Sequence, residues 1–263
     1  IGKRARLRDG LSSHLSLIRT IMLREMLKKG QKGMGYAGML LEPLAWVVAI
    51  DIAWHLRDHT AKHGVTLEAF LISGLAPYFL FYAHVLGKVS SAVTGNTNLL
   101  HFRRVTPLIL IVANLLREFL TALIAYVVIV GGLGLFQSNP QIADPLTILV
   151  AVAGMSMLAA IGGVLFGLGQ LAIPWLHLVQ MFYMRLMFIF SGCFFFANDL
   201  PPQMAYYASF NPLLELIEFV REAFFRQYQS RYAMWEYPLV FIIVGMVLIL
   251  VLERATRRYL AAA

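Results

Sequence analysis

Apolar stretches of roughly 20 residues alternate with short polar segments along most of the chain. An α-helix rises ~1.5 Å per residue, so about 20 apolar residues cross a ~30 Å hydrocarbon core. The pattern therefore predicts an all-α membrane protein with six transmembrane helices. The predicted spans are residues 34–54, 67–86, 105–130, 146–170, 175–196 and 237–251.

The composition agrees with this prediction and limits the number of domains. Hydrophobic residues make up 59% of the 263 residues and charged residues 14%, and the mean hydropathy is +0.71, above that of an ordinary soluble domain. Six spans leave little chain for a separate soluble domain. We therefore expect one membrane domain at 34–252, preceded by a cytoplasmic or interfacial segment at 1–33 and followed by a cytoplasmic tail at 253–263.

The positive charge of the chain predicts its orientation. Lys and Arg concentrate before the first span, in the segment after the second span and in the tail, whereas residues 137–144 contain neither. Because Lys and Arg are retained on the cytoplasmic side, an even number of spans with both termini cytoplasmic fits this distribution. The net charge of +8 is then explained by topology and anionic lipid headgroups, and we expect no nucleic acid partner.

The segment before the first span has an amphipathic pattern. Leu11, Leu15, Ile18, Met22 and Met26 share one helical face, and basic residues lie off that face. The segment carries too much charge to span a bilayer. It is predicted to form an amphipathic helix in the cytoplasmic interface.

Residues 198–236 combine helix-breaking and apolar residues before the last span. Pro201-Pro202 and Asn211-Pro212 interrupt any continuous helix, while the apolar residues between and after them favour burial. These opposing features predict a re-entrant helical hairpin on the outer side, with Pro201, Pro202, Asn211 and Pro212 as gate residues. The apolar residues that carry the argument are Leu214, Ile217 and Phe224.

The sequence contains no convincing catalytic or cofactor-binding motif. The sequence contains no GxxxxGK[ST] loop and no convincing Ser-His-Asp, paired-carboxylate or HExxH arrangement, so an enzyme acting alone and a cofactor in this chain are not expected. Cys193 is a single cysteine, which excludes an intrachain disulfide. His55, His59 and His63 have a spacing that could hold a metal, but their polar surroundings favour a solvated loop and no metal site.

Ionisable residues inside predicted spans are functional candidates because they must be paired or hydrated. Glu42, Arg117 and Glu118 are interpreted as structural pairs, and Asp51 as hydrated near the outer end of its span. Arg185 either pairs within the bundle or faces an aqueous path.

Aromatic residues form two groups. One group crowds the second span after Pro77, and the other is a stripe on the fifth span that ends at Phe194. Helix packing with interfacial belts is the favoured explanation, and stacking on sugar rings is the alternative. A Gly163–Gly167 GxxxG pair indicates close helix contact. The groups are Tyr78, Phe79, Phe81 and Tyr82, and Tyr183, Met187, Phe190 and Phe194.

Taken in order, these features resemble the membrane permease of ABC type-2 transporters that export capsular polysaccharide. The matching pieces span nearly the whole chain in order and spacing. They are residues 18–29, Gly35-Tyr36 with 40–43, 71–79, 96–107, and Leu200-Pro201 through 211–213 to Glu218, Arg221 and Tyr228.

The resemblance implies a homodimer in the bacterial inner membrane above a separate ABC ATPase homodimer, which binds ATP and Mg. Its cargo is a lipid-linked polysaccharide passed to periplasmic and outer-membrane capsule export proteins. The segment after the second span would be a coupling helix, although its composition alone fits an ordinary loop equally well. The coupling residues are Asn98, Leu99, Leu100, His101, Phe102, Arg103 and Arg104.

We expect the substrate path at the dimer interface, between the first and fifth spans, because a polymer cannot pass through one six-helix bundle. The alternatives are a permease for O-antigen, teichoic acid or another amphiphile, an ion-coupled secondary transporter using Asp51, Glu118 or Arg185, and a non-transporting scaffold for glycan assembly. The expected path residues are Tyr183, Arg185, Phe190, Phe194, Tyr78 and Tyr82.

Overall fold

The computed structural model describes residues 37–55, 65–95, 107–136 and 142–262. Regular structure in these ranges is helical throughout, which confirms the all-α prediction for them. The helices are α1 (Ala37–His55), α2 (Leu67–Gly95), α3 (Pro107–Phe136), α4 (Pro145–Ala172), α5 (Leu176–Phe190), α6 (Pro202–Ala208), α7 (Pro212–Phe224) and α8 (Glu236–Ala262), with a 3₁₀ turn at Ala197–Asp199.

Three helices of the described chain are long and apolar enough to cross a membrane by length and composition. They are Leu67–Gly95, Ile111–Gly132 and Pro145–Ala172. Shorter apolar helices occupy the other three predicted spans, at Leu41–Ile50, Leu176–Phe190 and Glu236–Leu252. Every predicted span therefore coincides with an apolar helix, and the crossing of all six stays a prediction.

Helix α2 lies at the centre of the protein and is not a uniform α-helix. It is α-helical over Leu67–Pro77, π-helical over Tyr78–Ala83 and α-helical again over His84–Gly95. The wide turn follows Pro77, whose missing N–H interrupts the regular hydrogen-bond ladder. The helix continues to Gly95, so the predicted second span at 67–86 was too short at its C-terminal end.

Helices α2 and α4 are in close contact through small residues. A Cβ atom on Gly163 would lie 2.7 Å from the Leu86 main-chain oxygen, and one on Gly167 would lie 2.8 Å from the Val93 Cβ. These distances are too short for any side chain. The predicted GxxxG contact is therefore made within the chain, where it brings two backbones together.

Helix α5 is shorter than the sequence predicts. It ends at Phe190, and Gly192 two residues later has a φ of 85°. A positive φ is readily adopted by glycine and terminates a helix. The fifth span at 175–196 was therefore wrong at its C-terminal end, and Phe194 does not extend the helical stripe of Tyr183, Met187 and Phe190.

Helices α6 and α7 lie where a hairpin is predicted, and local sequence explains both starts. Pro202 and Pro212 each occupy the first turn of a helix, where the absent N–H costs no hydrogen bond. The Asn211 side chain caps α7 by accepting a hydrogen bond from the Leu213 N–H at 3.1 Å. Nearly all of α7 is buried against α2 and α4, so the core lies between these three helices.

Candidate functional site

A cavity of about 960 Å³ lies between α4, α5, α6 and α8. Five of the predicted path and gate residues line it, although they come from distant parts of the chain. They are Tyr82, Tyr183, Phe190, Asn211 and Pro212. Most of the remaining wall is apolar and includes Leu158, Ile161 and Leu165 of α4, Met187 of α5, Met204 of α6, and Phe241, Val244 and Leu248 of α8.

Two tyrosines connect α2 to α5 beside this cavity. The Tyr82 and Tyr183 hydroxyls lie 2.7 Å apart and share a hydrogen bond. The Tyr78 hydroxyl donates to the Met184 main-chain oxygen at 2.5 Å and is buried outside the cavity lining. These hydroxyls are therefore engaged in holding α5, and the π-helical turn positions both tyrosines of α2.

The other predicted path residues lie apart from the cavity. Arg185 is exposed and does not line it. Phe194 packs edge-on against Phe188, with ring centroids 4.8 Å apart. The structure thus brings together three of the six predicted path residues, and Arg185 forms no ion pair within the part of the chain that the structure describes.

The turn between α6 and α7 is attached to both neighbouring helices. The Asn211 side-chain amide donates to the Phe190 main-chain oxygen at 3.1 Å, at the C-terminal end of α5. The Tyr237 hydroxyl of α8 donates to the Phe210 main-chain oxygen at 2.8 Å. Of the predicted gate residues, Asn211 and Pro212 face the cavity, whereas Pro201 and Pro202 are not part of its wall.

A completely buried ion pair anchors α7. Arg221 donates through Nη1 to the Glu218 carboxylate at 3.0 Å and to the Phe195 oxygen at 2.5 Å, and through Nη2 to the Cys193 oxygen at 3.3 Å. The Tyr228 hydroxyl donates to the other Glu218 oxygen. These bonds satisfy main-chain oxygens that the end of α5 leaves without helical partners, as a low-dielectric setting requires.

The same cluster explains a glycine of α2. A Cβ atom on Gly74 would lie 3.0 Å from the Arg221 Nη2 and 3.1 Å from the Cys193 oxygen. The Arg221 guanidinium also lies over the Phe70 ring, 4.4 Å from its centroid. The sequence signal for this cluster was the spacing of Glu218 and Arg221 on one face of an apolar segment.

A second cluster of ionisable groups, in which Glu118 is buried and His84 is partly exposed, joins α2 to α3. The His84 Nε2 lies 3.1 Å from the Glu118 carboxylate, which also pairs with the neighbouring Arg117. The structural pairing of Arg117 and Glu118 was expected, but His84 was missed. A histidine near the end of a predicted span was the available signal, and its partner could be identified only from the packing of two helices.

A polar cluster joins α2, α4 and α5 away from the hairpin. The Gln180 side-chain oxygen accepts from the Ser90 hydroxyl at 2.9 Å and from the Gln170 amide at 2.6 Å. Sequence reasoning did not single out these residues. Two glutamines close to span ends were the signal, since amide side chains in apolar helices tend to bond across helix contacts.

Several predicted residues cannot be placed by the structure. The coupling segment 98–104, the N-terminal amphipathic segment, His59 and His63 lie outside the described residues, as do the side chains of Asp51 and His55. Glu42 is exposed. Among the described side chains, no group of three His, Cys, Asp or Glu residues could hold a metal ion.

The fold and its cavity define a helical membrane protein, and comparison with known proteins makes the class more specific. The chain is 24% identical to the polysialic acid transport protein KpsM of Escherichia coli over 248 residues, covering 94% of this chain and 96% of that relative. It is 27% identical to the capsule polysaccharide export inner-membrane protein CtrC of Neisseria meningitidis over 241 residues, covering 89% and 87%.

A third relative is also a capsule polysaccharide export protein of the inner membrane. The capsule polysaccharide export inner-membrane protein BexB of Haemophilus influenzae is 24% identical over 231 residues, covering 85% of this chain and 84% of that protein. A scan against protein-family models gives no match. The resemblance to capsular polysaccharide exporters, inferred above from a succession of motifs, is confirmed by these similarities over most of the chain.

Proposed function

We propose that this chain is the permease subunit of an ATP-driven exporter of capsular polysaccharide in a bacterial inner membrane. The observation that carries the proposal is the similarity to KpsM, CtrC and BexB along almost the whole chain. The apolar helices Leu67–Gly95, Ile111–Gly132 and Pro145–Ala172 support a membrane location. The cargo is a lipid-linked glycan, which the exporter passes to periplasmic and outer-membrane capsule export proteins.

The proposed topology has six spans, an interfacial helix before the first span and both termini in the cytoplasm. Two connections support this orientation. Residues 96–106, between α2 and α3, include Arg103 and Arg104, whereas residues 137–144, between α3 and α4, include no Lys or Arg. The first connection is therefore cytoplasmic and the second lies outside.

ATP hydrolysis belongs to a separate ATPase homodimer that docks on the cytoplasmic side. Residues 98–104 form the coupling segment, because they lie between α2 and α3 on the basic side and combine apolar residues with two arginines. Apolar residues such as Phe102 would be buried in the ATPase, and the arginines would meet its carboxylates.

A homodimer provides the transport path. Helices α1 and α5 carry large exposed apolar side chains that a second copy can cover, among them Trp46 and Phe182. Arg185 is exposed on the same helix α5, where it would offer a fixed positive charge to acidic sugars or a lipid phosphate. The path opens between copies because one protomer is too narrow for a polymer.

The α6–α7 hairpin serves as the outer gate and enters the membrane from the outside. Its turn bonds to α5 and α8, and its second helix is anchored by the buried Glu218–Arg221 pair. Backbone that is not helical at membrane depth must be covered by protein or water. The bonds from Asn211 and Arg221 to main-chain oxygens meet this requirement.

Two alternatives remain as proposals of lower rank. A related permease could carry O-antigen, teichoic acid or another amphiphile, because the similarity is 24–27%. The His84–Glu118–Arg117 cluster favours an ion-coupled secondary transporter, since ionisable groups inside a membrane often carry protons or ions. The second alternative needs no ATPase.

The decisive experiment combines purification with an export assay in the source organism. The proposal requires a stoichiometric ATPase to co-purify with the tagged chain, and requires deletion of the chain to leave capsular glycan inside the cell. Re-expression of the chain should return glycan to the surface. Export that persists when the co-purified ATPase is inactivated would instead support ion coupling.

A further inference from the structure

We propose that the cavity between α4, α5, α6 and α8 binds the acyl chains of a membrane phospholipid. The cavity volume of about 960 Å³ is at the upper end of the ~300–1,000 Å³ typical of small-molecule sites. It is also far larger than the ~30 Å³ that one water molecule occupies. A space of this size can hold a molecule that matches its chemistry.

The lining selects against water and sugars. Its polar side chains are those of Tyr82, Tyr183, Tyr207 and Asn211. The Tyr82 and Tyr183 hydroxyls bond to each other at 2.7 Å. Asn211 bonds through its amide nitrogen to the Phe190 oxygen and through its oxygen to the Leu213 N–H.

Water inside a cavity needs two to four polar partners, and the hydroxyls of a sugar need partners of their own. Among the described side chains, the lining leaves only the Tyr207 hydroxyl and the O–H of whichever of Tyr82 and Tyr183 accepts, which is fewer groups than a sugar needs. The side chains contributed by α4 and α8 are hydrocarbon throughout, with Gly162 and Gly245 between them. An alkyl chain, which has no hydrogen bonds to lose, fits this wall better than either water or glycan.

The bilayer is the source of the ligand because the cavity is continuous with the surface that faces it. Phe190, Met204 and Val244 line the cavity and are also 57%, 62% and 61% exposed. Val244 belongs to the apolar helix Glu236–Leu252, most of whose large side chains are exposed. Acyl chains that contact this surface can enter the cavity without crossing a polar barrier.

A bound lipid would contact the elements that surround the hairpin turn. Met187 and Phe190 come from α5, Met204 and Ala208 from α6, and Phe241 from α8. The lipid fills the space between α5, α6 and α8, so its binding favours the conformation in which these three helices are separated. The position of the hairpin is therefore linked to lipid occupancy.

The test uses the purified full-length chain in vesicles of phosphatidylethanolamine and phosphatidylglycerol, with no glycan present. A fraction of the phosphatidylethanolamine carries a diazirine at the end of one acyl chain, and peptide mass spectrometry locates the cross-links after illumination. We expect cross-links at Leu158, Leu165 and Met187, which are only partly exposed and line the cavity.

Neighbouring residues of α8 provide matched variants. Val244→Trp fills the cavity, whereas Ile243→Trp adds the same side chain at a position of 59% exposure that does not line it. Val244→Trp should reduce cross-linking at Met187 by about tenfold, the change that corresponds to a tenfold weaker binding constant. Ile243→Trp should leave cross-linking at Met187 unchanged. If either of these variants does not fold, Leu248→Trp gives a second test, with Val247→Trp as its control.

Three results would overturn the proposal. Cross-linking confined to the exposed face of α8 would mean that no lipid enters. Loss of the cavity cross-links when the glycan cargo is added to the vesicles would assign the site to the cargo's own lipid end. A disulfide between two copies through Val244→Cys would show that a second copy fills the cavity, and none of these results bears on whether the chain is an exporter.

Discussion

Arg221 and Glu218 form an ion pair at 3.0 Å in which both side chains are completely buried. The pair lies one turn apart on α7. Its remaining hydrogen bonds join Glu218 to the Tyr228 hydroxyl and the Ala197 N–H, and Arg221 to the main-chain oxygens of Cys193 and Phe195. Through these bonds, a single helix fixes the segment that follows α5. This relationship links the hairpin to the end of α5 and leads to the first prediction.

Removal of the Arg221 guanidinium should strongly destabilise the protein. Arg221→Ala leaves the Glu218 carboxylate buried and unpaired, and breaking a buried pair in this way costs about 3–5 kcal/mol. Arg221→Lys should be intermediate, because one ammonium group cannot reproduce the fork geometry that reaches three oxygens. Thermal unfolding of the purified protein in detergent measures both, and equal stability of wild type and Arg221→Ala would contradict the role of the pair.

Arg185 should behave in the opposite way. Its side chain is exposed on α5, so Arg185→Ala should change the free energy of unfolding by less than about 0.5 kcal/mol. Its proposed contact with acidic cargo predicts a clear loss of surface glycan at unchanged protein level. Immunolabelling of glycan, normalised to the amount of permease, tests this, and cysteine cross-linking that places residue 185 against lipid would remove the contact.

The contact between α2 and α4 predicts a difference among glycines. Gly163→Ala would place a Cβ atom 2.7 Å from the Leu86 oxygen, and overpacking of this kind costs about 1–3 kcal/mol. Gly131→Ala and Gly132→Ala are matched controls, since nothing lies within 4 Å of a Cβ atom at either position. The controls should retain full stability in the same unfolding assay, and a Gly163→Ala protein as stable as they are would rule out the close contact.

The coupling segment should connect ATP hydrolysis to export. Replacing Phe102 and Arg103 together with Ala should lower both substrate-stimulated ATPase activity and export, because the apolar anchor and a charge contact are lost. Membrane insertion should be unaffected, since neither residue belongs to a predicted span. ATPase assays on the purified complex and surface-glycan assays in cells measure the two effects, and full export by the double variant would exclude this segment.

Labelling of single cysteines should report the depth of the hairpin. A membrane-impermeant maleimide should react rapidly near Asn198 and Ser230 and slowly near Asn211, with recovery at Asn211 when the transporter opens. The native Cys193 is buried, so background labelling should be low. Leu213→Cys is a control for a buried position, because that side chain is 1% exposed. Uniformly rapid labelling from 198 to 230 would mean a surface loop.

Helix positions were well predicted because local patterns determine them. The apolar stretch at 146–170 corresponds to α4, since Asp144 and Pro145 mark its start: the Asp144 side chain accepts from the Leu146 and Thr147 N–H groups. A hydrogen bond from the Thr147 hydroxyl, together with these backbone bonds, lowers the pKa of the exposed Asp144 carboxyl. The break at Asn211-Pro212 was predicted for the same reason.

The end of α5 shows where local patterns were insufficient. Residues 191–196 read as a continuation of an apolar helix, yet Gly192 adopts a positive φ and the helix stops at Phe190. The helix can end here because Arg221, almost thirty residues later in the chain, donates hydrogen bonds to the main-chain oxygens of Cys193 and Phe195. A window of neighbouring residues contains no information about such a distant donor.

The sequence by itself determined the class of the protein, the positions of its apolar helices and the need for a break before the last span, because hydrophobic length and helix-breaking residues act locally. Only the tertiary structure decided which residues meet. It paired His84 with Glu118, separated Arg185 and Phe194 from the cavity, and placed Tyr82 beside Tyr183 across about a hundred residues of chain. Such contacts depend on how helices pack against one another, and in membranes this packing follows close fit and polar bonding that hydropathy does not encode.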